Sequence, residues 1–441
     1  MLKALRRYYW VTQSFFARHS SIVVRTTLIV LGFIATFFIF SRYLPTPKET
    51  VRIGRVGKYT LLDFPLDIQS QISSGLVILT HDGRIHPGLA RSWKVSEDNL
   101  TYTFELDSNL SWHNGSAIQA DDITYNFQNV VVERGEGTIT FRLQEPFSPF
   151  FSAVSRPLLK NNKLGTLEYR LTKTTLGNGV LQALKIENST TRRIYKFYPT
   201  ESSSITAYKL GDIDRVEGLS FVPDSIKDDP TSQLNQEELL PSRQSVLFFN
   251  NSDVLLRDNK SIRQALAYAI ENKSFDKTRS LSPIDKSSWA YNPLIKTYDF
   301  DPEKAKSLFP NSSGTKLEIK TMLQYLDVAE SIAESWKKVL GLDVSVKVIS
   351  NLNSDYQVLL ADFTSPLDPD QYTIWHSTQS TNITHYSNLK VDKLLEDGRR
   401  TSDKKLRKEI YQDFQRFLLE DCPAVFLFQS SAYTIERKPL F

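Results

Sequence analysis

Cysteine is nearly absent from this sequence: Cys422 is the only one in 441 residues. One cysteine cannot close an intramolecular disulfide, and a zinc site built from thiolates needs several. Attachment of a lipid to an exported chain needs a cysteine directly after the apolar leader, and none stands there. We therefore expect no disulfide, no thiolate zinc site and no lipid attachment.

The short motifs of the common enzyme classes are also missing. The sequence has no G-x-x-x-x-G-K-[ST] or G-x-G-x-x-G for phosphate, no G-x-S-x-G around a nucleophilic serine and no H-E-x-x-H for zinc. Its six histidines are scattered, although His376 and His385 lie near carboxylates, so a metal site there stays an alternative. We expect neither enzymatic activity nor a cofactor.

Acidic residues are absent from residues 1–48, which hold seven basic residues. The rest of the chain has 47 basic residues against 50 acidic ones, so the formal net charge of +4 comes from the basic head. A slightly acidic body does not attract nucleic acid. No nucleic-acid partner is therefore expected.

An apolar run follows the basic head. Residues 26–40 carry no charge, and the run from Ile22 to Phe40 is about 19 residues long, near the length that spans a bilayer. Five cationic residues precede Thr26, so the positive-inside rule places the N-terminus in the cytoplasm and the chain after Phe40 outside the cell membrane. The run ends in FFIFSRYLPTP without the small residues of a cleavage site, which favours a retained anchor over a cleaved signal peptide.

Length and periodicity indicate a two-lobed α/β protein after the anchor. A chain of 441 residues exceeds what one compact core normally supports. Helical spacing predicts helices within 204–214, 258–275, 327–341 and 402–421 and after Asp121-Asp122, and alternation predicts strands at 100–106, 343–350 and 356–363. Asp82-Gly83 predicts a hairpin turn.

Candidate ligand-binding side chains are concentrated in one stretch, ADFTSPLDPDQYTIWHSTQSTNITHYSN (361–388). Asp362, Asp368 and Asp370 stand within nine positions of each other and are followed by Tyr372 and Trp375. Two acids aimed at one bond could hydrolyse a glycoside, but Asp-Pro among Ser and Thr is equally typical of a loop. From these residues alone, catalysis, metal binding and ligand binding all remain open.

Four stretches of the exported part follow a known pattern. They are HPGLARSWKVSEDNLTYTFELDSNLSWHNGSAIQADDITYNF (86–127), GDIDRVEGLS (211–220), VLFFNNSDVLLRDNKSIRQALAYAIENKSF (246–275) and NITHYSNLKVDKLLEDGRRTSDKKLRKEIYQDFQRFLLEDCPAVFLF (382–428). In this order they resemble the family 5 extracellular solute-binding proteins, the receptors of peptide-type ABC importers. Only about ten residues (131–140) stand where that family usually has a longer extra domain, so a reduced small subdomain is expected.

The resemblance implies a type II periplasmic-binding-protein-like fold, in which two α/β lobes joined by a hinge close on a ligand in the central cleft. The expected organisation is a cytoplasmic basic segment (1–21), a transmembrane signal anchor (22–41), a linker (42–50), lobe I with the reduced subdomain (51–245), lobe II (246–425) and a return to lobe I (426–441).

The resemblance also implies a function. Such receptors hold the backbone of a peptide and deliver it to an ABC permease, and an acidic residue meets the peptide ammonium. Asp362 and Asp368 are equal candidates for that contact, with Asp370 third. The other expected ligand-binding residues are Tyr372, Trp375, Asn382, Tyr386, Trp289, Tyr291 and Asn250. We expect a monomer; an oligosaccharide or metal chelate as ligand, or a tethered sensor without transport, remain alternatives.

Overall fold

The computed structural model describes residues 2–41, 48–80, 82–238, 243–257, 259–349 and 355–438. The chain divides into two units, one of residues 1–49 with 189–191 and one of the remainder, and each is described by itself. The first unit is dominated by helix α1 (Leu2–Ser41), whose backbone angles are non-helical at His19. Within α1, Arg6–Phe37 is long and apolar enough to cross a membrane, which fits an anchor or a signal sequence.

The body of the protein, the second unit, combines strands and helices. Its strands are β1 (Glu49–Val56), β2 (Val77–Leu79), β3 (Ile85–Pro87), β4 (Ala90–Val95), β5 (Thr101–Leu106), β6 (Val130–Gly135), β7 (Thr138–Leu143), β8 (Arg170–Gly177), β9 (Val180–Glu187), β10 (Thr191–Tyr198), β11 (Arg215–Leu219), β12 (Ser232–Glu238), β13 (Arg243–Phe249), β14 (Lys316–Thr321), β15 (Asp343–Val348), β16 (Val358–Thr364), β17 (Ala424–Gln429) and β18 (Ser431–Arg437). Its helices are α2 (Leu66–Ile72), α3 (Phe150–Val154), α4 (Glu201–Lys209), α5 (Asp224–Lys227), α6 (Lys260–Tyr268), α7 (Pro302–Leu308), α8 (Leu326–Leu340), α9 (Tyr372–Trp375), α10 (Leu389–Arg400) and α11 (Lys404–Asp421).

Two large sheets define two lobes. The sheet of lobe I has the order β12-β18-β11-β1-β10-β9-β8, and the sheet of lobe II has the order β15-β14-β16-β13-β17. The chain passes from lobe I to lobe II between β12 and β13 and returns between β17 and β18. We call the lobe II end of these passages, marked by Arg243 and Ser430, the crossover. A four-stranded sheet, β4-β5-β7-β6, forms a small subdomain.

Lobe II is a three-layer structure because its central strands are apolar on both faces. Along β13, Leu247 and Phe249 pack into the core that includes α6 and α8. The alternate residues Val246 and Phe248 pack into the core that includes α10 and α11. A strand covered on both faces has no polar face, and β13 is accordingly buried from residue 244 to residue 249.

Several sequence predictions for local structure are confirmed. Helix α8 ends where Gly341 adopts a left-handed conformation (φ 64°), as its position after the apolar stripe predicts. Helix α11 begins at the Asp403 cap, whose carboxylate accepts from the backbone N–H of Leu406. The turn at Asp82-Gly83 joins the antiparallel strands β2 and β3.

The helix predicted after Asp121-Asp122 is wrong. The structure has only a single 3-10 turn, Ala120–Asp122, followed by extended backbone at Ile123. The carboxylate of Asp122 accepts from the Trp112 indole N–H at 2.8 Å and pairs with Lys160 at 2.8 Å, which ties it to neighbouring loops. The apolar spacing that suggested a helix instead places Phe127 among the aromatic rings of the subdomain core.

Candidate functional site

Asp362 lies on β16 beside the crossover. Register places it opposite Ser245 of β13. Its Oδ1 accepts a hydrogen bond from the Tyr325 hydroxyl at 2.5 Å and another from the Ser430 hydroxyl at 3.2 Å. Its Oδ2 accepts none from any residue that the structure describes, and the side chain keeps 28% of its exposure. One carboxylate oxygen of Asp362 is therefore unoccupied by the described residues.

The guanidinium group of Arg243 lies near the Asp362 carboxylate but makes no hydrogen bond to it. The Nε atom of Arg243 is 3.7 Å from Asp362 Oδ1. Nε and Nη2 of Arg243 are buried and have no hydrogen-bond partner among the described residues. Buried guanidinium N–H groups without a partner are rare, so these two donors are available to an acceptor that enters the crossover.

Two further charged groups face the crossover. Burial raises the pKa of Glu201 on α4, and the backbone N–H and hydroxyl of Ser220 partly offset this by donating to its carboxylate. Burial also lowers the pKa of Lys277, and the charge of Asp362 partly offsets this. The crossover thus combines two carboxylates with two cations, a setting suited to a zwitterionic or polar ligand end.

Asp368 and Asp370, in contrast, are held by arginines of lobe II. Both oxygens of Asp368 accept from the Arg407 guanidinium, at 2.6 and 2.8 Å, and both side chains are nearly buried. Asp370 accepts from Arg399 Nε at 2.9 Å. Burial raises the pKa of Asp370 although Arg399 acts in the opposite direction. These two carboxylates fix the loop before α9 onto α10 and α11.

A cavity of about 460 Å³ opens between the small subdomain and lobe II. Typical sites for small ligands have volumes of about 300–1,000 Å³. Its lining combines aromatic rings with charged side chains, among them Phe127, Glu145, Phe147, Tyr372, Arg399 and Arg400. The guanidinium of Arg399 lies 4.1 Å from the ring centroid of Tyr372, so a cationic and an aromatic surface adjoin in this wall.

Contacts across the cavity rim join the subdomain to lobe II. The Ser148 N–H donates to the carbonyl of Arg399 at 2.7 Å, and its hydroxyl donates to the carbonyl of Thr401. Arg400 pairs with Glu145 at 2.7 Å. We call these contacts the rim latch. These contacts join the small subdomain to lobe II, so they can form only when the subdomain lies close to lobe II.

Of the predicted aromatic and amide residues, only Tyr372 lines this cavity. Trp375 is 1% exposed and packs in the lobe II core, with its indole N–H donating to Gln371. Asn382 is buried and donates to the carbonyl of Tyr386 at 2.8 Å. The hydroxyl of Tyr386 donates to Asp421 at 2.8 Å. All three make intramolecular contacts that a ligand would have to displace.

The remaining predicted residues lie elsewhere in lobe II. Asn250 follows the end of β13, seven residues from Arg243, which is about 23 Å along an extended strand. Its amide donates to the carbonyl of Tyr356 at 2.7 Å, which joins the end of β13 to the residues before β16. Trp289 lies beneath the side chains of Lys404 and Arg407. Burial raises the pKa of Tyr291, which packs against the lobe II core.

The sequence prediction missed the residues that complete the site. Arg243, Tyr325 and Ser430 meet at Asp362 although long stretches of chain separate them. Arg399, Arg400 and Glu145 line the cavity from two parts of the chain. No local pattern marks any of them, because the sheet order and the packing of the subdomain bring them together.

Histidine and carboxylate groups do not assemble into a metal centre in the described part of the chain, where no cluster of three or more potential ligands occurs. His376 is buried and stacks on Tyr372 at 4.1 Å between ring centroids. Its Nδ1 is paired with the Thr378 hydroxyl at 2.9 Å, while Nε2 lies 3.5 Å from Glu396. His385, the second candidate, has φ 51° in the turn before Tyr386.

The sequence profile of the bacterial extracellular solute-binding proteins, family 5, middle region, matches residues 84–179 and 187–385. These ranges cover more than half of the chain and include the stretch that carries Asp362. The chain belongs to this family. The family's members are solute-binding proteins, and the expected resemblance is confirmed.

Individual relatives are similar to this chain over most of its length. The probable D,D-dipeptide-binding periplasmic protein DdpA of Escherichia coli is 23% identical, over 93% of this chain and 94% of its own length. NikZ of Campylobacter jejuni, solved in complex with Ni(L-His), is 24% identical with a TM-score of 0.74 over 89% of this chain and 94% of its own. AppA of Bacillus subtilis, solved with a nonapeptide, is 19% identical with a TM-score of 0.68, over 89% of this chain and 95% of its own. The family 5 protein described here therefore has the predicted two-lobed type II fold of periplasmic binding proteins.

Proposed function

We propose that this family 5 protein is a membrane-anchored extracytoplasmic receptor that binds peptides between its lobes and delivers them to an ABC permease. The proposal assigns it no catalytic step: closure of the lobes holds the solute, and opening releases it. The observation that carries the peptide assignment is that Oδ2 of Asp362, near the crossover, accepts no hydrogen bond from the described residues.

Asp362 is the proposed partner of the peptide ammonium. An ionised carboxylate with an unfilled acceptor position binds an ammonium through a charge-assisted hydrogen bond. Tyr325 and Ser430 hold the other oxygen, so the side chain is already oriented and loses little rotamer freedom on binding. The Nε–H and Nη2–H groups of Arg243, which have no hydrogen-bond partner among the described residues, would donate to a backbone carbonyl of the same ligand.

The peptide assignment agrees with two relatives. DdpA is named for D,D-dipeptide binding, and AppA of Bacillus subtilis was solved with a nonapeptide. Peptide ligands of different length share an ammonium and a backbone, and recognition of those shared groups tolerates different side chains. The cavity between subdomain and lobe II offers room for ligand side chains beside Tyr372.

A chelate of a metal ion with an amino acid is the second candidate ligand. It is favoured by the likeness to NikZ, solved with Ni(L-His), and by the arginines of the cavity wall. In such a complex the amino acid supplies the metal ligands, and guanidinium groups bind its carboxylate. This candidate makes little use of Asp362.

Calorimetric titration of the detergent-solubilised full chain separates the two candidates. We expect heat from a mixed library of di- to pentapeptides, little heat from the same library acetylated at its N-termini, and none from Ni²⁺ with histidine. Heat from the nickel–histidine mixture alone would transfer the assignment to the chelate. A folded protein that binds neither would contradict the receptor function.

Anchoring and delivery need their own measurements. Mass spectrometry of the protein purified from membranes should find the N-terminal tryptic peptides, because the apolar run lacks a cleavage site. Cross-linking in intact cells should capture permease subunits of an ABC transporter. Cross-linking that captures no permease from cells importing the ligand would favour a tethered sensor instead.

A further inference from the structure

Helix α1 is longer than a membrane span requires. Its 40 residues extend for about 60 Å at 1.5 Å per residue, while the hydrocarbon core of a bilayer is about 30 Å thick. The non-helical backbone at His19 divides α1 into an N-terminal and a C-terminal half. The C-terminal half contains the uncharged residues 26–40 and suffices to span the core. The other half therefore has to lie outside the hydrocarbon.

The N-terminal half is amphipathic. We call residues 6–18 the basic segment. At about 100° per residue, Arg6, Arg7 and Arg18 fall within an arc of about 120°, which also contains Ser14 and Trp10. The remaining arc carries Tyr8, Tyr9, Val11, Thr12, Phe15 and Phe16. The three arginines thus lie on one face, and every aromatic ring of the segment except that of Trp10 lies on the other.

None of these apolar side chains is covered. Tyr8 is 76% exposed, and Tyr9, Phe15 and Phe16 each keep more than half of their surface. An exposed row of aromatic rings opposite a row of arginines is the composition of helices that lie in the membrane interface. Acidic residues are absent from residues 1–48, so the whole face attracts anionic head groups.

We propose that the basic segment lies flat on the cytoplasmic leaflet and binds anionic phospholipid. Phe15, Phe16, Tyr8 and Tyr9 enter the boundary between head groups and acyl chains, and Arg6, Arg7 and Arg18 face the phosphates. His19 is the bend between this interfacial helix and the span. The indole of Trp10, on the cationic face, stays at the level of the head groups. The inference rests on the retained anchor proposed above.

A pair of adjacent residues gives the test a matched design. Ser14 lies on the cationic face and Phe15, about 100° further around the helix, lies on the aromatic face, so the variants Ser14→Cys and Phe15→Cys carry a fluorescent label on different faces. Both are made in full-length protein with Cys422→Ala, which removes the one natural thiol. The proteins are reconstituted into vesicles of phosphatidylcholine with phosphatidylglycerol, and quenching by aqueous iodide is measured.

We expect iodide to quench the label at position 14 several-fold more strongly than the label at position 15. Equal, strong quenching at both positions would overturn the proposal, because the segment would then project into water. Weak quenching at both would also overturn it, because the segment would then be buried on all sides. In vesicles of phosphatidylcholine alone, the label at position 15 should become more accessible.

Charge is tested separately. Each cation near an anionic leaflet favours the bound state roughly fivefold, so the triple variant Arg6→Gln, Arg7→Gln, Arg18→Gln should raise quenching at position 15 to its level in neutral vesicles. Arg84→Gln, Arg91→Gln, Arg142→Gln removes the same charge from exposed sites of the body and should leave it unchanged. An unchanged signal in the first variant would overturn the role of the arginines.

The experiments distinguish a protein without a retained anchor from an anchored protein without an interfacial helix. Mature protein that lacks the residues of α1 would refute the anchor and with it the interfacial helix. Mature protein that retains them but shows no difference between positions 14 and 15 would refute the interfacial helix alone. Protease protection of the vesicles confirms that each variant keeps the orientation of the unaltered protein.

Discussion

Asp362 and Asp368, six residues apart, have opposite surroundings. The Asp368 carboxylate forms an ion pair with the guanidinium of Arg407, whose side chain is 7% exposed. Both oxygens of Asp368 accept hydrogen bonds from this guanidinium. The Asp362 carboxylate is held at one oxygen by two hydroxyl groups and leaves the other oxygen open. We therefore expect different effects when each aspartate is changed to asparagine: weaker peptide binding at position 362 and lower stability at position 368.

Asp362→Asn should weaken peptide binding by roughly 10- to 100-fold, since a hydrogen bond to a charged group contributes about 1.5–3 kcal/mol. Affinity for N-acetylated peptides should change little, because they present no ammonium. Calorimetry on the full chain measures both affinities. A loss of equal size for free and acetylated peptides would show that Asp362 acts on the fold and not on the ammonium.

Asp368→Asn should instead lower the stability of the body. Removing one partner of a buried ion pair costs about 3–5 kcal/mol, because the Arg407 charge stays buried without compensation. Urea unfolding followed by circular dichroism measures the change. The folded fraction should bind peptide with nearly unaltered affinity. Full stability of this variant would contradict the structural role of the pair.

At the scale of single elements, the packing of helices and the pairing of strands stabilise the lobes around the site. Helix α8 has Ile332, Ala333 and Trp336 buried against the lobe II sheet and ends at Gly341. Strands β1 and β11 run parallel in lobe I, and the Arg52–Asp214 ion pair joins their neighbouring ends. Each feature supports one lobe without touching the proposed ligand.

Gly341→Val should destabilise the body by about 1–2 kcal/mol. The residue has φ 64°, a conformation that a β-branched side chain adopts only with strain. A Cβ atom would also meet the Ser313 hydroxyl oxygen at 3.2 Å. Gly341→Asn is the control, since asparagine tolerates the left-handed region, and it should lose less. Equal losses in thermal unfolding would point to crowding at Ser313 and not to backbone strain.

The Arg52–Asp214 ion pair should make the free energy of unfolding depend on pH in the acidic range. Arg52 donates from Nε and Nη2 to Asp214, and this lowers the pKa of Asp214 below its ordinary value of 3.8. The folded state binds this proton more weakly than the unfolded state does, so the pair stabilises above the ordinary pKa and loses its effect as pH falls through the lowered value. Asp214→Asn should be less stable than the parent at pH 7, and the difference should shrink below pH 4. A difference that is the same at both pH values would exclude a contribution from ionisation.

For the molecule as a whole, we propose that closure depends on contacts between the small subdomain and lobe II. The rim latch consists of two backbone-directed hydrogen bonds and one exposed ion pair, Glu145–Arg400. Exposed ion pairs contribute little, so the rim latch adds little stability and opens easily. In the proposed mechanism, a ligand that bridges the lobes supplies the remaining stabilisation of the closed state.

Glu145→Lys should weaken ligand affinity a few-fold, because like charges at the rim disfavour closure. The double variant Glu145→Lys, Arg400→Glu restores an ion pair of reversed polarity and should recover most of the lost affinity. Titration calorimetry at low and moderate salt gives the affinities, and salt should reduce the defect of the single variant. Failure of the double variant to recover would show that closure does not depend on this ion pair.

The family, the two-lobed α/β class, the apolar helix and most local elements could be predicted from the residues alone. Those properties follow from short-range patterns: the spacing of apolar residues, caps such as Asp403 and Gly341, and ordered motifs along the chain. The helix predicted after Asp122 was wrong because contacts with distant Trp112 and Lys160 decide the local backbone there.

The tertiary structure was needed to show which of the three carboxylates keeps an oxygen that no described residue occupies. From the sequence, Asp362 and Asp368 are equal candidates and Asp370 is the third, because no local pattern shows which carboxylate is already paired. Arg407 and Arg399 occupy the last two, while sheet order brings Tyr325 and Ser430 to Asp362. The physical reason is that the availability of a carboxylate depends on its three-dimensional neighbours, and these come from parts of the chain that no local pattern connects.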